Sequence, residues 1–128
     1  MDNQDKKVLI VERDTGIANM IRAILGIVNV QVAHAQTGQD AITMLTENSI
    51  GLVICEKEIP DMDGYNLLKY LRAKPETAQI PFLMLIAETD NTHLSLPPQE
   101  AADRYITKPF TARKVLDVVK EFIVYKGL

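Results

Sequence analysis

Three charged side chains close short runs that read as strands: Glu12 after "VLIV" (8–11), Glu56 after "LVIC" (52–55) and Lys108 after "RYIT" (104–107). A carboxylate at the end of a buried strand stands where it can react as a ligand, a base or a nucleophile. A lysine beside it would neutralise its charge. Arg13 directly follows Glu12, and Ile86 stands near the end of "FLMLIA" (82–87), so both belong to the same set of strand-end residues.

Other candidates point to structure rather than chemistry. Asp61 and Asp63 of "PDMDG" lack the remaining ligand positions of a calcium loop and fit a turn entering a helix, where aspartates cap free N–H groups. His34 and His93 have no second histidine or cysteine at metal-ligand spacing. Cys55 is the one cysteine and follows three apolar residues, which suggests a buried thiol in a reducing compartment. No glycine-rich phosphate loop follows the first strand-like run.

The elements that must position these residues are legible in the hydrophobic pattern. "VLIV", "LVIC" and "FLMLIA" run apolar without alternation, as in strands covered on both faces. Between them, Ile17, Met20, Ile21, Ile24, Leu25 and Val28 keep helical spacing after Asp14 or Thr15 as N-cap. "VQVAHA" reads as a second strand, "TGQDAITMLTEN" as a helix with Ala41, Ile42 and Leu45 inward, and "GYNLLKYLRAK" as a third helix. "RYIT" and "TARKVLDVVKEFIVYK" supply a last strand and a last helix, whose stripe is Val115, Leu116, Val118, Val119, Phe122 and Ile123. Strand and helix alternate, which specifies an α/β doubly wound domain with a parallel sheet and helices on both faces. The rhythm falters once: where a fourth crossover helix is due, Pro97 and Pro98 leave room for one short turn on either side. In such a sheet the functional crevice lies beyond the carboxyl ends of the strands, where Glu12, Glu56 and Lys108 converge.

A length of 128 residues suits one domain, with 47% hydrophobic and 24% charged residues, as in an ordinary globular protein. The net charge of −3 argues against a nucleic-acid surface, and no apolar stretch approaches the length of a membrane span. A cytoplasmic protein is expected.

The segments "KKVLIVERD", "GLVICEKEIPDMDGYNLLKYLR", "IPFLMLIA" and "DRYITKPF", in that order, resemble the receiver domain of bacterial two-component response regulators over nearly the whole chain. The resemblance implies a single domain over 1–128 with the flavodoxin-like order 2-1-3-4-5. In that family two adjacent acids after strand 1 and an aspartate ending strand 3 hold magnesium, and the aspartate takes phosphate from a histidine kinase. A Ser or Thr after strand 4, a Tyr or Phe on strand 5 and the Lys of "KP" read the phosphate out. Carried over, Glu12 fills the first acid position and Arg13 the second; Glu56 fills the phosphoacceptor position and Ile86 the hydroxyl position. Tyr105, Lys108 and Pro109 match, and the resemblance implies a cis Lys108–Pro109 peptide.

These departures fall on the chemistry. The family's three carboxylates and one ammonium carry a double negative charge, whereas Glu12, Arg13, Glu56 and Lys108 sum to zero. Arginine is always protonated and offers no lone pair to a metal. The reading is therefore a degenerate receiver without magnesium, cofactor or enzymatic activity, in which Arg13 forms an internal ion pair with Glu56 or Glu12. In a variant of this reading, the longer Glu56 imitates the phosphorylated state by reaching Lys108. Two alternatives stand beside it: a working phosphoreceiver using Glu56 or a nearby Asp, and a flavodoxin-like small-molecule binder, which a deep apolar pocket above strands 1 and 3 would favour. The resemblance implies a protein partner, a kinase or an output domain, or a second copy docked through the strand 5 and last-helix face, with no nucleic-acid or membrane contact.

Overall fold

The expected unalternated strands pair side by side in a computed structural model that describes residues 6–123. In chain order the elements are β1 (Lys7–Val11), α1 (Thr15–Ile27), β2 (Val32–Ala35), α2 (Gly38–Glu47), β3 (Ile50–Glu56), the two-residue strands β4 (Glu58–Ile59) and β5 (Met62–Asp63), α3 (Gly64–Arg72), β6 (Phe82–Ala87), β7 (Arg104–Lys108) and α4 (Ala112–Val119). The main sheet is wholly parallel with order β2-β1-β3-β6-β7, while β4 and β5 form a separate antiparallel ladder. With that ladder set aside, this is the flavodoxin-like order 2-1-3-4-5.

Burial explains why the strand sequences do not alternate. Val8, Ile10, Leu52, Ile54, Leu83 and Leu85 point to one face, where they pack with α1 and α4 residues such as Ile21, Leu25, Val115 and Val119. Leu9, Val11, Val53, Cys55, Met84 and Ile86 point to the other, against Ala41 of α2 and Leu67 and Leu71 of α3. Both faces are therefore core, and each residue of these runs is apolar for its own face.

Side chains cap the helix starts, Asp14 and Asp63 as expected and Thr37 in addition. The Asp14 carboxylate accepts from Gly16 and Ile17 N–H, Thr37 Oγ1 from Asp40 N–H, and Asp63 from Tyr65 N–H. Asp61 accepts from the N–H groups of Gly38 and Gln39 at 2.7 and 2.9 Å, pinning the start of α2 to the β4–β5 turn. Both aspartates of "PDMDG" are thus capping groups.

Three sequence expectations need adjustment. Met20 is 45% exposed rather than core-facing, because Ile17, Ile21, Ile24, Leu25 and Val28 already fill the buried arc and leave Met20 on its margin. The second strand is shorter than "VQVAHA", starting at Val32. The last helix stops at Val119, where short-range bonds from Glu121 N–H to Val118 and from Phe122 N–H to Val119 tighten the chain into a turn. Its expected continuation over 124–126 lies outside the described residues. In the fourth crossover one 3-10 turn, Thr92–Ser95, precedes the prolines and a second, Pro98–Glu100, begins at Pro98, as the sequence led us to expect.

Candidate functional site at the strand ends

Three strand ends at one edge of the sheet assemble the site. Glu56 is the last residue of β3, Lys108 the last of β7, and Glu12 follows the last residue of β1, so parallel pairing places all three at the carboxyl edge. The Lys108 ammonium forms an ion pair with Glu56 Oε2, although its angles are poor for a directed hydrogen bond. The same Nζ lies 3.7 Å from Glu12 Oε1. Glu12 is only 2% exposed; its Oε2 accepts from Asp14 N–H at 3.2 Å, while Oε1 has no hydrogen-bond partner and faces Lys108. His34 Nε2 meets the Glu12 carbonyl at 2.7 Å and so fixes the turn that carries this carboxylate.

Burial pushes the Glu56 carboxyl above the usual carboxylate range. The Lys108 ammonium pulls it back down, and Glu12 and Glu58 push it up again. Burial also raises the Cys55 thiol well above its ordinary value, with help from Glu56 and Glu12, and its Sγ donates to the Glu56 carbonyl at 3.1 Å. That thiol is inert packing.

Arg13 does not join the cluster. It is exposed, and the expected ion pair with Glu12 or Glu56 is not formed; the cation that meets both carboxylates is Lys108. Successive side chains past the strand alternate in direction, so burying Glu12 sends the adjacent, always charged guanidinium outward. Among the described residues, no group of three or more His, Cys, Asp or Glu side chains is placed to hold a metal ion.

Ile86 is 1% exposed and packs in the core, so no hydroxyl stands at its position. The Lys108–Pro109 peptide is cis. Tyr105 is half-buried: its hydroxyl accepts from Ala102 N–H at 2.9 Å and meets the Tyr65 hydroxyl at 3.2 Å, while its ring lies 4.5 Å from that of His93. Burial and the Tyr105 contact raise the Tyr65 phenol. The sequence offers His93 only as a histidine without a metal-ligating companion and does not single out Tyr65, because nothing in local spacing links positions 65, 93 and 105. Lys57 was also missed; it pairs with Asp90 across the edge at 2.5 Å.

Residues 8–120 match the response regulator receiver domain family. The chain belongs to that family. As a receiver domain of two-component signalling it is 35% identical over 121 residues to the regulatory protein VanRB of Enterococcus faecalis, covering 94% of this chain and 54% of that protein. The chain spans about half the length of the curated relatives it matches. Among solved structures, the signal receiver domain of a histidine kinase from Syntrophus aciditrophicus superimposes with a TM-score of 0.83 at 29% identity, over 92% of this receiver and 89% of that chain. A chemotaxis response regulator of Vibrio cholerae shares the fold at a TM-score of 0.83 and 24% identity, over 92% and 98% of the two chains.

The described cleft of about 820 Å³ lies at the opposite end of this receiver's sheet, lined by Ile50 and Gly51 at the start of β3, by Tyr70 of α3 and by Lys74 just past that helix. It is not the pocket above strands 1 and 3 that a flavodoxin-like binder would need.

Proposed function

We propose that this receiver domain does not switch by magnesium-dependent phosphorylation and acts in two-component signalling as a protein-contact module. The observation that carries this reading is the Lys108–Glu56 ion pair, formed while the second acid position presents an exposed Arg13. Magnesium needs oxygen ligands in near-octahedral geometry. Here one carboxylate already holds an ammonium, one buried oxygen of Glu12 is left over, and the third position carries a positive charge. This donor set does not fit the ion.

The acceptor geometry supports the same reading. The extra methylene of Glu56 advances its carboxylate by about 1.5 Å relative to an aspartate, and a 1 Å misplacement can cost roughly a hundredfold in rate. At the hydroxyl position, Ile86 offers a phosphoryl group no hydrogen bond. The domain is then no enzyme and no phosphate carrier.

The contact face in this reading is made of the two 3-10 turns, β7 and α4, on which Leu94 is 74% exposed. The partner is a kinase or an output domain, or a second copy through β7 and α4; nucleic acid and membrane are not partners, and the site of action is the cytoplasm. Titration with beryllofluoride and magnesium, followed by amide resonances, tests the reading. Unchanged Glu56, Ile86 and Tyr105 amides are expected, and saturating shifts at these positions would overturn it.

A second reading draws on the same contact: Glu56, touching Lys108, holds the domain in its signalling state permanently. In that case Glu56→Gln weakens partner binding, whereas a module indifferent to position 56 binds equally well.

A further inference from the structure

Lys57 follows Glu56, yet it turns away from the Glu12–Lys108 cluster. Its ammonium meets Asp90 Oδ2 at 2.5 Å, and both side chains are largely covered, at 19% and 16% exposure. Asp90 is in turn built into the connection between β6 and β7: its N–H bonds the Ala87 carbonyl at 3.0 Å, and its Oδ1 accepts from Thr92 N–H at 2.9 Å. Lys57 also reaches Thr92 Oγ1 at 3.4 Å. The next residue, His93, lays its ring on Tyr105, whose hydroxyl is held by Ala102 N–H and the Tyr65 hydroxyl.

The first part of this connection, residues 88–100, has little else to hold it. It contains two 3-10 turns and no α-helix, so it lacks the apolar stripe with which a crossover helix grips the sheet. Among the described residues, Lys57–Asp90 is the ion pair that holds this part; the other pair from the connection, Arg72–Asp103, ties its last residue to α3. His93 Nδ1 is buried without a hydrogen-bond partner, so no polar contact of that nitrogen fixes the ring; the turn that carries it does.

We infer that Lys57 is a positioning residue, which ties the β6–β7 connection to the end of β3 through Asp90 and thereby holds His93 against Tyr105. The inference rests on the reading of a receiver that does not take phosphate: with Ile86 in place of a hydroxyl, a fixed internal tether sets the loop instead of a bound phosphoryl group. The charged pair is partly desolvated and shares Thr92, which makes it stronger than a surface ion pair of the same length.

Amide hydrogen exchange of the Ala102 N–H reads the tether, since that proton is bonded to the Tyr105 hydroxyl. Lys57→Met keeps the apolar stem and removes the charge; Asp90→Asn keeps an acceptor for Thr92 and weakens the pair. Both should speed Ala102 exchange about tenfold and shift the His93 and Tyr105 ring resonances, while the Ile54 and Leu85 amides stay protected. Lys57→Arg should restore the wild-type pattern. Wild-type protection of Ala102 in both variants would overturn the tether, and so would equal acceleration at Ile54 and Leu85, which marks general destabilisation. Phosphorylation of Glu56 in the wild type would defeat the proposed function, whereas the exchange pattern decides the tether by itself.

Discussion

Lys108 at the end of β7 pairs with Glu56 at the end of β3, reaching across β6, which lies between them. Adjacent strands are about 4.8 Å apart, so the gap is roughly two such spacings and calls for long side chains from both banks. The four-carbon stem of Lys108 and the extra methylene of Glu56 meet that demand together. One ammonium thereby faces two carboxylates, since Glu12 Oε1 is 3.7 Å from the same Nζ.

Removing that ammonium leaves two neighbouring acids without a cation. Lys108→Met should destabilise the domain by about 2 kcal/mol at pH 7, below the usual loss for a fully buried pair because Lys108 and Glu56 keep some solvent. Urea unfolding checks this, and the deficit should shrink as pH falls and the carboxylates take up protons.

The raised Glu56 carboxyl sets the sign of a second experiment. Folded Glu56 binds its proton at higher pH than the unfolded chain does, so the folded state gains stability relative to the unfolded state as pH falls through that window. Relative to Glu56→Gln, the wild type should therefore gain thermal stability between neutral pH and the ordinary carboxylate range near 4.5. A difference in melting temperature independent of pH would contradict this.

Gly64 lets α3 begin against the backbone that carries Glu56. A Cβ there would lie 3.0 Å from the Glu56 carbonyl oxygen and 3.1 Å from Lys57 Cα, and the Gly64 N–H donates to the Lys57 carbonyl at 2.6 Å. Backbone cannot swing aside as a flexible side chain can. Gly64→Ala should cost about 1–3 kcal/mol despite the better helix propensity of alanine, and it should shift the Glu56 and Lys57 amides.

Restoring the family's acids should restore its chemistry. The triple variant Arg13→Asp, Glu56→Asp and Ile86→Thr recovers three carboxylates and a hydroxyl and shortens the side chain that reaches Lys108. Magnesium should then bind and perturb the residue 12, 13 and 56 amides. The wild type under the same titration should show no such response.

The sheet and its site edge were legible because each apolar run serves two buried faces and ends in a charge. Glu12, Glu56 and Lys108 thus fell where the strand ends place them. The partner of Glu56 was not legible. Arg13 is adjacent to Glu12 in sequence, yet side-chain direction past the strand end sends it to solvent, and a lysine 52 residues after Glu56 takes the role. Lys57 and Asp90, 33 residues apart, share no periodicity that could announce them. The broken crossover was visible because proline removes a backbone donor whatever surrounds it.

Intact mass after incubation with acetyl phosphate and magnesium tests the central claim most directly. The account predicts wild-type protein at its unmodified mass, with the triple variant gaining one phosphoryl group under the same conditions. Stoichiometric phosphorylation of the wild type, mapped to Glu56, would contradict it.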